Sequence, residues 1–203
     1  MKSIDRPLNS ELLEILNNFS DWFFQQDMNK VYVRGTPDEN EYYTSKEYLD
    51  SIDRKAHIGY PEKTYGVDLM RPEHTDISIR PMIVKTNNDL NAYLGAKFCA
   101  VNMYYPMGGY MGWHNNHNCP GYNILLSYNS EKYGGFFRYQ EPQSSNIITL
   151  YDNHGWFAKV GYYGHNGEPD KLYWHCARAF VPRLTFGYVI PDESMWQMMV
   201  DAL

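Results

Sequence analysis

Two histidines stand in settings that suit metal binding. His114 lies in the segment GYMGWHNNHNCPG, directly after a strand-like stretch, and Asn116 follows two residues later. Side chains two apart on a strand point to the same face, so His114 and Asn116 are expected to project together. His175 lies much further along the chain, in LYWHCARAF. Two imidazoles with a neighbouring oxygen ligand form the donor set of a non-haem iron site.

A candidate anion site follows His175 on the next strand. Alternation puts Arg183 and Thr185 on one face of RLTFGYVI, opposite an apolar face. A buried arginine needs an anionic partner, and the distal carboxylate of a dicarboxylate suits it because guanidinium binds carboxylate through two parallel hydrogen bonds. Arg178 is the alternative anion ligand, since it lies closer to His175 in the sequence.

The order of these motifs resembles the 2-oxoglutarate- and iron(II)-dependent dioxygenases of the prolyl-hydroxylase type. The resemblance covers about residues 98–191, nearly half of the chain. VNMYYPMGGYMGWHNN resembles the family's entry strand, loop and HxD/E motif, and YGGFFRY resembles its GGxF strand. His175, followed by Arg183 and Thr185, resembles the distal histidine and RxS/T element.

The resemblance implies an enzyme, a metal and a co-substrate. Fe(II), 2-oxoglutarate and O2 would be used, with decarboxylation of 2-oxoglutarate to succinate and hydroxylation of a C–H bond in a protein side chain or a small molecule. The two histidines would be catalytic as metal ligands. The implied metal site consists of His114, Asn116 and His175, and the implied co-substrate contacts are Arg183, Thr185, Asn102 and Tyr104.

The sequence departs from this family at Asn116, which stands where the family has Asp or Glu. Three interpretations follow: a working hydroxylase in which Asn116 coordinates through its oxygen or holds a water, a halogenase with a halide in the vacancy, or a cupin-like binding module without activity. His117 is a possible substitute ligand, although strand alternation points it away from His114. Asp152 is too distant in the motif order to replace the missing acid.

The elements that must position these residues are mostly strands. Aromatic residues make up 16% of the chain, which favours β structure. We predict a mainly β (α+β) fold, a double-stranded β-helix of jelly-roll or cupin-like type, with N-terminal helices packed on the barrel. The predicted strands are KFCAVNMYYP, YNILLSYN, GGFFRYQ, NIITLYD, GWFAKVGYYG, LYWHCARAF and RLTFGYVI. The predicted helices are residues 9–26, 44–57, 87–95 and 192–203.

Length and charge limit the number of domains and the kinds of partner that the chain can have. The sequence predicts one domain over residues 1–203, with a helical and loop flank (1–97), a β core (98–191) and a C-terminal helix (192–203). The net charge is −6, with +1 over residues 100–190 and −7 elsewhere, which argues against a nucleic-acid partner. The sequence has no apolar run for a membrane, no signal-peptide pattern and three well-separated cysteines, so we predict a cytoplasmic protein.

Overall fold

The chain folds into two antiparallel β-sheets with helices packed outside them. The computed structural model describes residues 1–56, 59–116, 119–165 and 167–203. The strands are β1 (Lys2–Ser3), β2 (Thr64–Tyr65), β3 (Val67–Asp68), β4 (Phe98–Tyr105), β5 (Tyr110–His114), β6 (Gly121–Asn129), β7 (Gly135–Gln140), β8 (Ile147–Tyr151), β9 (Gly155–Tyr163), β10 (Trp174–Ala179) and β11 (Arg183–Ile190). The helices are α1 (Ser10–Phe23), α2 (Asn40–Tyr43), α3 (Lys46–Ser51), α4 (Arg80–Leu94) and α5 (Glu193–Ala202).

The sheet order is that of a two-layer sandwich. Six strands pair in the order β1-β9-β6-β11-β4-β3, and five pair in the order β2-β5-β10-β7-β8. The prediction of a mainly β, jelly-roll-like architecture is confirmed. The expectation of a barrel is wrong in one respect, because each sheet keeps its own edge strands and the two sheets do not close into a continuous cylinder.

Strand alternation separates the main core from the space between the sheets. On β11, Leu184, Phe186 and Tyr188 belong to the large apolar cluster formed with α1, α4 and α5. The Phe186 ring lies 5.3 Å from the ring of Phe19 on α1. The residues in between, beginning with Arg183, face the second sheet. The helices therefore stabilise the six-stranded sheet from behind and leave its other face available for a site.

The helix ends follow capping chemistry. Asn9 caps α1 by accepting a hydrogen bond from the backbone N–H of Glu11, and Gly95 ends α4 with a φ of 57°. Helix α4 begins at Arg80 and not at residue 87, because Pro81 lies in its first turn, where proline is tolerated. Helix α3 is shorter than predicted and ends at Ser51. Within the described ranges, every helix is too short or too polar to cross a bilayer.

One short segment joins the two sheets. Strand β2 pairs with β5 of the five-stranded sheet, and β3 pairs with β4 of the six-stranded sheet. Gly66, the residue between them, exchanges two backbone hydrogen bonds of 3.3 and 3.4 Å with Arg34. Both sheets are thus tied to residues 64–68 at this edge.

Candidate metal and anion site

His114 and His175 face each other on neighbouring strands. Strands β5 and β10 are antiparallel, and the two histidines are direct cross-strand partners. Their ring centroids are 4.1 Å apart. The two residues that the sequence predicted as metal ligands are therefore brought together, although they are far apart along the chain.

A β-bulge sets the direction of His114. Between its pairings with β10, strand β5 advances by three residues, from Met111 to His114, while β10 advances by two. The extra residue puts Met111 and His114 on the same inner face, and Trp113 packs into an apolar cluster on the outer face. Bulges re-aim side chains in this way next to functional sites.

The hydrogen bonds of the two imidazoles determine which ring nitrogen is available to bind a metal. The Nδ1 atom of His114 lies 2.8 Å from the carbonyl oxygen of Gly112, and Nδ1 of His175 lies 3.0 Å from that of Tyr173. A carbonyl oxygen only accepts, so in each ring Nδ1–H must donate. In the neutral form of each ring the lone pair is then on Nε2, the arrangement that backbone partners impose on metal-binding histidines.

His175 is held as a neutral base. Burial, and then the proximity of His114, lower the pKa of His175 well below its usual value. The ring stacks on Phe137 at 5.4 Å and contacts the Tyr163 ring at 4.9 Å. A neutral, fixed imidazole is the form that binds a divalent metal.

Asn116 completes the set of candidate ligands. It is half-buried, lies just beyond the end of β5, and lines the same cavity as both histidines. Two imidazole nitrogens and an amide oxygen form a donor set that suits a divalent transition metal, so these residues fit iron(II). Among the residues that the structure describes, no group of three His, Cys, Asp or Glu side chains forms a metal site. His117 lies outside the described residues.

The histidines and the predicted anion ligand line one cavity between the sheets. Its volume is about 60 Å³, and its wall includes His114 and His175 together with Arg183 and Thr185. A wider cleft of about 400 Å³ shares His114, Asn116 and three other wall residues with it. The arrangement provides a narrow inner site for a small ligand beside a larger outer space.

Arg183 is buried and paired with an acid that the sequence analysis set aside. Only 2% of Arg183 is exposed, and its Nε lies 2.9 Å from Oδ2 of Asp152. That N–H does not point at the oxygen, so the contact is an ion pair without a hydrogen bond. The Nη2 atom makes longer contacts, 3.4 Å to Ser127 Oγ and 3.5 Å to Asp152 Oδ1. Thr185 lies beside it, 3.4 Å from the Ser127 hydroxyl.

Lys159 is a functional candidate that the sequence analysis missed. It is fully buried on β9, lines the cavity, and donates from Nζ to Asp152 Oδ1 over 2.8 Å. Burial lowers the pKa of Lys159 to about 8, although Asp152 opposes the shift. The signal was available in GWFAKVGYYG, where a single lysine shares the strand face of Phe157 and Gly161.

Asp152 is charged and held from several sides. Burial raises its pKa, but the charges of Arg183 and Lys159 outweigh burial, so the pKa lies below its usual value. Asn129 donates to Oδ2 over 3.3 Å, and the backbone N–H of Asp152 donates to Gly135 over 2.9 Å. A Cβ atom at Gly135 would lie 2.6 Å from Oδ2. The second glycine of YGGFFRY therefore makes room for the carboxylate.

The remaining predicted residues lie elsewhere. Asn102 lines the wider cleft, and its buried Oδ1 has no hydrogen-bond partner among the described residues. Tyr104 packs on the helix side of β4, with its ring 5.2 Å from that of Phe23, and the neighbouring Tyr105 lines the inner cavity instead. Arg178 pairs with Glu41 over 3.2 Å and is not among the residues that line the cavity.

Comparisons with known proteins give distant structural likenesses only. No family model matches the sequence, and no curated protein matches it either. Among solved structures, the chain is similar to a prolyl-4-hydroxylase from Pseudomonas putida, with 14% identity and a TM-score of 0.45 over 93% of this chain and 91% of that one.

Proposed function

We propose that this chain is an iron(II)- and 2-oxoglutarate-dependent dioxygenase, built on a double-stranded β-helix, that hydroxylates a C–H bond of a protein side chain or a small molecule. The observation that carries the proposal is the His114–His175 pair, 4.1 Å apart, in a cavity that also contains Arg183. A metal-binding pair next to a buried carboxylate receptor is what a co-substrate with an oxo acid at one end and a carboxylate at the other requires.

The roles of the residues follow from their contacts. His114 and His175 would hold the metal through Nε2, with Asn116 as the oxygen ligand. Arg183 and Thr185 would bind the distal carboxylate of 2-oxoglutarate in the inner cavity. When bound, iron(II) and 2-oxoglutarate supply the reduction of O2, which yields succinate, CO2 and one oxygen atom inserted into a substrate C–H bond.

The surroundings of the site suit this chemistry. Phe137 and Tyr163 pack on His175 and limit access of water to one side of the ring. The wider cleft of about 400 Å³ would receive the substrate that is oxidised, because it shares the His114 and Asn116 walls. A substrate there would lie close to the metal ligands without displacing the co-substrate.

The test is succinate formation from 2-oxoglutarate with Fe(II) and O2. We expect His175→Ala to abolish it, since one of two imidazole ligands is lost, and His154→Ala, at an exposed position, to leave it unchanged. Anaerobic addition of 2-oxoglutarate to the Fe(II) protein should give a visible charge-transfer band. Absence of both the band and succinate from the wild-type protein would reject the proposal.

A second function is favoured by the donor set itself. Asn116 lines the cavity with the two histidines, and a neutral amide in place of a carboxylate would suit a carboxylate-binding module without turnover. Binding of 2-oxoglutarate without any succinate formation, with or without added substrates, would support this second function.

A further inference from the structure

The wall of the inner cavity contains an unbalanced positive charge. Arg183 and Lys159 are buried, and both pair with the buried Asp152. Within the described parts of the chain, Asp152 is the one carboxylate that either cation contacts. Two cations and one anion leave a net charge of +1 out of contact with water. Burial of an uncompensated charge is costly, so the cluster needs a further anion.

The hydrogen bonds of the cluster are also incomplete. The Nε–H of Arg183 is buried and has no acceptor among the described residues. Lys159 has three N–H donors, of which Asp152 takes one, while the ring of Phe157 lies 4.2 Å from Nζ. An acceptor group in the cavity would satisfy donors that the protein leaves open.

We propose that Lys159 is a second ligand, beside Arg183, for the distal carboxylate of the co-substrate, and that Asp152 positions both cations and limits the site to a single negative charge. The proposal rests on the proposed function for the identity of the ligand. It assigns roles to two residues that the motif resemblance left without any.

The position of Lys159 supports direct contact with the ligand. Its Cα pairs across the strands with Leu125 of β6, and Leu125 pairs with Gly187 of β11, so the three share the inner face of the six-stranded sheet. Arg183 and Thr185 lie on the same face, and β6 separates their strand from that of Lys159. Ser127 of β6, the cross-strand partner of Thr185, lies on this face between the strands of Arg183 and Lys159. A carboxylate next to Thr185 and Ser127 would therefore have an arginine on one side and a lysine on the other.

The fixed position of Asp152 supports its role in selectivity. Its carboxylate is held by Lys159, Arg183 and Asn129, and Gly135 leaves no space behind it. It cannot swing away when an anion enters. A carboxylate brings the cluster to zero net charge, whereas a dianion such as sulfate would leave it negative. The site thus favours a monoanionic group.

The experiment measures glutarate binding to the metal-free full-length protein by calorimetry at pH 7. Glutarate has the distal carboxylate but no oxo acid, so its binding does not depend on a metal. Loss of a charge-assisted hydrogen bond predicts that Lys159→Met weakens glutarate binding by about 10- to 100-fold. Lys171→Met, at an exposed lysine, is the matched control and should bind like wild type.

A second pair of variants keeps the test valid if Lys159→Met is unstable. The variant Lys159→Gln leaves Arg183 and Asp152 as a neutral pair and keeps a side-chain N–H for Asp152, so it should fold, yet it should bind glutarate as weakly as Lys159→Met. Asp152→Asn alone leaves two cations, and we expect sulfate to bind it more tightly than glutarate does, the reverse of wild type. A merely structural role for Asp152 would lower both affinities without reversing their order.

The outcomes separate this inference from the proposed function. Succinate formation by a wild-type protein, combined with unchanged glutarate affinity and unchanged KM for 2-oxoglutarate in Lys159→Met, would overturn the role of Lys159 alone. Glutarate binding that depends on Lys159, without succinate formation, would overturn the dioxygenase and keep the anion site. Wild-type protein that binds neither glutarate nor 2-oxoglutarate would overturn both.

Discussion

In the proposed metal site, Asn116 would be the weakest of the three ligands. A neutral amide oxygen is a weaker ligand for a divalent cation than a carboxylate, so the two imidazoles would provide most of the binding. The cavity wall already contains one excess positive charge on Arg183 and Lys159. A metal ion adds two more, and a bound 2-oxoglutarate dianion then removes two. The co-substrate and the metal are therefore expected to bind cooperatively.

Replacement of Asn116 by Asp should strengthen metal binding. We expect Asn116→Asp to raise the affinity for Fe(II), or for Co(II) as a spectroscopic substitute, by about tenfold or more, since a charged ligand joins the histidine pair. The measurement is a metal titration followed through the visible Co(II) bands. Asn146→Asp, at an exposed position, adds the same charge away from the site and should change nothing. Equal affinities in Asn116→Asp and wild type would remove Asn116 from the ligand set.

The ionisation of Lys159 should control anion affinity. Burial lowers its pKa to about 8, and only the protonated amine binds a carboxylate. Glutarate affinity of the metal-free protein should therefore be constant below pH 8 and fall by about tenfold per pH unit above it. Asp152 and Arg183 are the charged groups that act on the lysine. Tyr163 lines the same cavity, and its pKa is raised well above the usual value, so it stays neutral in this range. A flat profile from pH 7 to 10 would show that Lys159 does not contact the anion.

At the scale of elements, the alternation of side chains between the two faces of a strand predicted the inward-facing residues of β11 correctly and those of β5 incorrectly. On β11 the period of two correctly separated Arg183 and Thr185 from the apolar face. On β5 the bulge between Met111 and His114 breaks the period, and nothing in the local sequence marks it except Gly112. The two histidines could still be identified as candidates, because histidine is a common metal ligand. The Asp152–Lys159 pair was missed because a contact between β9 and the loop before it depends on sheet packing.

The glycine at the start of β7 should be needed for anion binding. In Gly135→Ala the new methyl group would lie 2.6 Å from Oδ2 of Asp152 and 2.7 Å from the carbonyl oxygen of Arg178. We expect overpacking to cost about 1–3 kcal/mol of stability. The displaced carboxylate should also weaken glutarate binding. Gly155→Ala is the control, because φ there is 74° but no atom lies within 4 Å, so it should lose about 1–2 kcal/mol and keep its affinity.

For the whole molecule, a buried cluster with excess positive charge gives an unusual pH dependence of stability. The pKa of Lys159 is about 8 in the folded protein and 10.5 for an unperturbed lysine. Between these values the unfolded chain binds more protons than the folded one, so this residue makes the free energy of unfolding rise with pH. Asp152 affects stability at acidic pH. Its pKa is lowered in the folded protein, so the charged carboxylate stabilises the fold above about pH 4, and this contribution is lost on further acidification.

The difference between wild type and Lys159→Met isolates this effect. From pH 8 to 10.5 the stability of wild type should increase relative to that of the variant, as measured by urea unfolding at each pH. Glutarate at a saturating concentration should remove the difference, since a bound carboxylate keeps the lysine protonated. Parallel pH profiles for the two proteins would contradict the lowered pKa.

The segment of residues 64–68 has a consequence for motion. Because β2 is hydrogen-bonded to one sheet and β3 to the other, the sheets cannot separate at that edge unless at least one of the two pairings breaks. The backbone amides of Gly66 and Leu69, which donate to Arg34 and Asn102, should be protected from exchange with deuterium for as long as the segment keeps these bonds. The segment thus ties the two sheets together beside the wider cleft, and that edge opens only when the pairing of β2 or of β3 is lost.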